Sequence, residues 1–163
     1  MSTDSSTLGF EIGPYWIQLP ARAEIAAKVV KPPSAAYQIA WTDWSISLER
    51  FQFFVHLDPR LKLSDLKRLI DQTTKSDVRI TMIGVNGIPG VKHGDYGPAR
   101  TWIDWWFKKG DVMLCLCLQS KTFPVTTPSP EEMAEHSAII DSIRYAPDVA
   151  GGAKLDPRIG FST

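Results

Sequence analysis

The chain has 163 residues, of which 44% are hydrophobic and 22% charged, the make-up of one globular domain with a sizeable core. Eighteen Lys and Arg balance eighteen Asp and Glu, so no net field draws the chain to nucleic acid or to an anionic membrane. No run of about 18 apolar residues is present, which excludes a membrane-spanning helix, and the polar start Met-Ser-Thr-Asp-Ser-Ser-Thr carries no secretory signal. The expected setting is therefore cytoplasmic.

In chain order, residues 1–6 are expected to be disordered, 7–146 to form a single α+β domain, and 147–163 to form a C-terminal tail. Residues 8–12 and 15–19 read as short β pieces with Gly13-Pro14 as the turn between them. Residues 21–31 are alanine-rich and suggest a helical turn or two, stopped by Pro32-Pro33-Ser34. Trp44, Ile46 and Leu48 then alternate with Ser45, Ser47 and Glu49, a half-buried strand. After Arg50 the apolar phase slips by one to Phe51, Phe53 and Val55, which a bulge or bend near Arg50 would accommodate. Ser64 as N-cap, Asp65 in the first turn and Leu66, Leu69, Ile70 and Thr73 at helical spacing predict a helix laid on the sheet.

Ile80 to Val85 reads as a strand, and Asn86-Gly87 is the pair of a type I′ turn. Pro89-Gly90 adds a second turn signal, so residues 86–97 are expected to form a glycine-rich loop. The strand after it is apolar on both sides, with Trp102 and Trp106 on one and Ile103, Trp105 and Phe107 on the other. A turn at Lys108-Lys109-Gly110-Asp111 leads to a return strand in which Val112, Leu114, Leu116 and Leu118 oppose Met113, Cys115 and Cys117. Two such strands belong inside a sheet covered on both faces. The second cover is a helix with Ser129 as N-cap, Pro130 at N1 and Glu132 closing a capping box, followed by Met133, His136, Ile140 and Ile143. The tail after Gly151-Gly152 and Pro157 is expected to pack loosely, with Ile159 and Phe161 free to wrap back. The predicted fold is a central antiparallel sheet covered by helices on both faces.

Chemistry is sparse in this pattern. Cys115 and Cys117 lie two apart on one strand, point to the same face, and read as small buried hydrophobes. His136 falls on the apolar side of the last helix, and His56 ends a strand beside Asp58. His93-Gly94-Asp95 is the one pair suited to acid–base or metal chemistry. Gly84, Gly87 and Gly90 lack the dinucleotide fingerprint and the Lys-Ser/Thr pair of a phosphate loop. No cofactor and no metal are expected. Six tryptophans in one domain, three of them between positions 102 and 106, allow an aromatic docking patch with Tyr96 beside it.

The order of these elements resembles the PsbP-like α/β/α sandwich family. The resemblance rests on Phe10-Glu11-Ile12 and Trp16 near the start, Leu63-Ser64-Asp65-Leu66, the block 85–90 before two long strands, and Ile139-Ile140-Asp141-Ser142-Ile143-Arg144 at the close. It spans about residues 8–145 and implies a binding role rather than turnover, including bacterial chaperones that hold apolar segments of secreted toxins. The expectation is a non-enzymatic protein-binding module, a chaperone or immunity protein for a secreted effector, using Trp102, Trp106, Tyr96, His93 and Asp95. Its partner would be another protein, with no nucleic acid and no membrane insertion, and self-association stays open. A domain for a small apolar ligand, with its pocket between sheet and helix, and a small enzyme using His93 and Asp95 are the alternatives.

Overall fold

A computed structural model describes residues 6–30, 41–58, 62, 64–65, 68, 80–97, 101–121 and 127–145. Seven strands form the large antiparallel sheet: β3 (Glu24–Val30), β4 (Trp41–Ser47), β5 (Phe51–Asp58), β6 (Ile80–Val85), β7 (Ile88–Asp95), β8 (Trp102–Lys109) and β9 (Val112–Ser120). Their order across the sheet is β3-β4-β5-β9-β8-β7-β6. A second, three-stranded antiparallel sheet joins β1 (Thr7–Ile12), β2 (Tyr15–Pro20) and the short β10 (Arg144–Tyr145), with β2 in the middle. The closing helix, Pro130–Asp141, has the expected cap: the Glu132 N–H donates to Ser129 Oγ at 3.1 Å, and Ser129 N–H donates to Glu132 Oε1 at 3.0 Å.

The expected α/β/α sandwich does not form. Among the described residues the structure is mostly β, and what covers the first face of the large sheet there is the closing helix together with a second sheet. The reason lies in residues 10–19: Phe10 and Ile12 on β1, and Tyr15, Ile17 and Leu19 on β2, recur every second residue and are all buried. A period of two buries one face of a hairpin, so the N-terminal segment becomes a layer in its own right. These residues share one core with Trp44, Phe53, Trp105, Leu116 and Ile140.

Three local expectations are narrowed or corrected. Of the bulge or bend expected at Arg50 it is the bend that forms, as the turn of a hairpin: Leu48 N–H donates to the Phe51 carbonyl at 2.9 Å, and Ile46 then pairs with Phe53 on the same face. The alanine-rich stretch 24–30 is strand β3, where Ile25 and Ala27 pack against the core while Glu24, Ala26 and Lys28 are exposed. Alanine's helical preference is weak beside pairing with β4. Residues 88–95, expected as loop, form strand β7. Pro89 lies beyond the reach of β8, whose pairing starts at Gly90, and a side chain on Gly90 would strike the Phe107 ring at 2.5 Å.

The strand pair read as central is central. β9 is the middle strand of seven, and β8 lies beside it. The type I′ turn is also present, with Asn86 at φ 50° and Gly87 at φ 78°. Of the helix expected from Ser64, residues Ser64, Asp65 and Arg68 have helical backbone, and the rest lies outside the described residues, as do the termini 1–5 and 146–163.

Candidate functional site

The second face of the large sheet, turned away from the helix and the small sheet, gathers the polar and aromatic residues of alternate strand positions. Register sets them in rows, three of which carry the candidate residues. Phe54, Cys117, Asp104 and His93 lie across β5, β9, β8 and β7. Asp43, His56, Cys115, Trp106 and Val91 form the row on one side, and Gln52, Gln119, Trp102 and Asp95 the row on the other. Val91, Met113 and Cys115 are buried on this face, whereas Trp102 and Phe54 are each 39% exposed.

Asp104 holds the middle of the arrangement. Trp102 Nε1–H donates to its Oδ2 at 2.7 Å, and His93 Nδ1 stands 3.8 Å from the same oxygen. The His93 and Trp106 rings are 6.1 Å apart between centroids and tilted by 39°. His93 Nε2 is buried with no hydrogen-bond partner among the described residues. Gly94, at φ 94°, lies where any side chain would meet the Trp102 backbone, so it lets β7 close on β8 beside the indole.

Four of the five residues singled out from the sequence, Trp102, Trp106, His93 and Asp95, share this face. Tyr96 does not. Its side chain turns to the other side of the sheet, where its hydroxyl lies 2.8 Å from Nδ1 of buried His136 and its ring stacks on the imidazole at 6.0 Å. Asp95 and His93 lie on a strand, two apart, but Asp95 Oδ1 accepts from its neighbour's Tyr96 N–H at 2.8 Å and the histidine faces Asp104 instead. Asp104 and Phe54 were missed by sequence reading, though both carried a signal. Asp104 is an acid inside an otherwise apolar run, and Phe54 is out of phase with Phe53 and Val55.

The 3.8 Å separation of His93 and Asp104 is longer than a hydrogen bond. Burial pushes the Cys115 thiol well above its ordinary range, so it stays protonated and unreactive at neutral pH. Among the described residues no group of three or more His, Cys, Asp or Glu side chains is placed to hold a metal ion. No family model, no curated protein and no solved structure matches this chain. No helix among the described residues is long and apolar enough to cross a membrane.

Two concavities flank the sheet. One of about 310 Å³ continues the second face towards β3 and is lined by Ala26, Lys28, Asp43, Ser45, Phe54 and His56, among others. The other, about 240 Å³, lies between the small sheet and the helix, where Arg22 and Glu135 form an ion pair at 2.6 Å.

Proposed function

We propose that this chain is a non-enzymatic protein-binding module that seats an apolar segment of its partner on the second face of the large sheet. The observation that carries the reading is the pair of large aromatic side chains, Trp102 and Phe54, left over one-third exposed on a face whose neighbours Met113, Cys115 and Val91 are buried. Aromatic anchors bordered by polar groups are the usual make-up of a protein interface, and here Asp95, Gln52 and Lys108 provide the border. The groove beside Phe54 extends the same surface and gives an incoming side chain somewhere to go. The partner class in this reading is a secreted effector, held by the chain as a chaperone or immunity protein. An ion pair at the cavity between the small sheet and the helix suits an apolar ligand poorly, which favours the protein partner over the small-ligand reading.

The test is capture of partners from native lysate by the wild-type chain and by Trp102→Ala, with thermal unfolding measured on both. Trp102 is partly solvated and outside the shared core, so the variant is expected to melt within a few degrees of wild type and to lose the captured partner. Unchanged capture by a folded Trp102→Ala protein rules the face out. An activity that disappears with His93→Ala would instead favour the enzyme reading.

A further inference from the structure

The two edges of the large sheet are built differently. β3, at one end, carries exposed Glu24 and Lys28, charges that discourage pairing with a further strand. β6, at the other, reads Ile-Thr-Met-Ile-Gly-Val, with no charge and no proline, and its Met82 is 58% exposed. Among the described residues no strand lies beyond it. An uncharged free edge of this kind is a template for another strand.

The hairpin fixes which backbone groups point outward. Val85 and Ile88 flank the two-residue type I′ turn and form its closing hydrogen-bonded pair. Hydrogen-bonded and open pairs alternate along an antiparallel ladder, so Ile83–Gly90 and Thr81–Lys92 are bonded, while Gly84–Pro89 and Met82–Val91 are open. Pro89 agrees with this, since it has no N–H to give. Ile80, Met82 and Gly84 therefore direct their N–H and C=O groups to the free edge. These three positions are symmetric about Met82.

We infer that β6 pairs antiparallel with β6 of a second copy of this chain, about a two-fold axis passing beside Met82. In that register Met82 faces Met82 of the other copy, and Ile80 faces Gly84. Each outward N–H and C=O then finds a partner, and each sheet face continues as the same face in the second copy, because opposed residues have the same parity. A register shifted by one residue would set the second face of one copy against the first face of the other. With no charge on β6, nothing repels its own image. The contact is a narrow strip, so the dimer is expected to be concentration-dependent rather than obligate. It lies apart from Trp102 and Phe54 and stands or falls separately from the partner-binding reading.

Sedimentation velocity on the full chain over a concentration series tests this, together with Met82→Lys, Met82→Cys and Thr81→Cys. The expected result is a wild-type dimer fraction that grows with concentration and a Met82→Lys protein that stays monomeric with an unchanged circular dichroism spectrum. Opposed Cα atoms in a bonded antiparallel pair lie about 5.5 Å apart, within disulfide range. Met82→Cys should therefore give a covalent dimer on mild oxidation, with the 82–82 link identified by mass spectrometry. Thr81→Cys, which stands opposite Ile83 of the other copy, should not. A wild-type chain that is monomeric at every concentration, a dimer that survives Met82→Lys, or a Thr81→Cys chain that links as readily as Met82→Cys overturns the inference.

Discussion

His136 is 2% exposed beneath the edges of Phe51 and Phe53, with ring centroids 4.9 and 5.9 Å away. Desolvation by burial lowers its pKa, and the same cause raises that of Tyr96 to about 12. The imidazole is thus neutral and the phenol protonated at pH 7, and the two share one hydrogen bond whose direction the imidazole tautomer sets. Because the folded-state value of His136 is depressed, its contribution to stability is present above the ordinary histidine value of about 6.5 and is lost as pH falls below it. Glu132 adds a second acid-sensitive step. Its hydrogen bonds from Arg50 hold the carboxyl at about 2, so that contribution is present above the usual carboxylate range and fades towards pH 2. The melting temperature should fall between pH 7 and 5, and fall less in His136→Gln, which keeps a polar partner for Tyr96. An equal drop in both proteins would show that the imidazole is not responsible.

At the scale of the element, the β6–β7 hairpin does two jobs through one residue. Asn86 takes the left-handed conformation the turn requires, and its Nδ2 donates to the carbonyls of Asp141 and Ile143, both at 2.8 Å. The turn thereby caps the end of the closing helix. Asn86→Ala forfeits both bonds and the tolerance for positive φ, for a loss of about 2 kcal/mol. Asn86→Gly keeps the backbone freedom and should cost less, and urea unfolding of the pair separates the two effects. Hairpins of this sort were legible beforehand, because Asn86-Gly87 and Gly13-Pro14 state their turns locally. The strand β7 was not, since Pro89, Gly90 and Gly94 read as loop residues until Phe107 and Trp102 are seen pressing on the glycines. Strand β3 was hidden for the converse reason: its alanines speak locally for helix, and only pairing with β4 decides otherwise.

For the whole molecule, Tyr15 joins the two sheets. It is fully buried, accepts from the Lys109 N–H at 2.9 Å and donates to the Val112 carbonyl, which locks β2 onto the turn between β8 and β9. Its ring meets Tyr145 of β10 edge-on at 5.7 Å. Both sheets and the helix contribute to a single buried cluster, so unfolding followed by circular dichroism and by tryptophan fluorescence should coincide in one transition. Tyr15→Phe removes the hydroxyl's bonds to the Lys109 N–H and the Val112 carbonyl and should cost about 1–2 kcal/mol, or several degrees in melting temperature, without splitting the transition. Two separated transitions would mean the sheets are independent units.

By itself, the sequence determined that β8 and β9 lie at the heart of a sheet, that the last helix begins at Ser129, and that Trp102 and Trp106 share a side opposite Trp105, because alternation and capping act over a few residues. Tertiary structure alone decided that the N-terminal hairpin takes β10 as a third strand and lies over the core of the large sheet, that Tyr96 leaves the tryptophan face for His136, and that Asp104 rather than Asp95 meets His93. Those outcomes depend on which strands become neighbours, and neighbours distant in sequence leave no periodic trace in either strand.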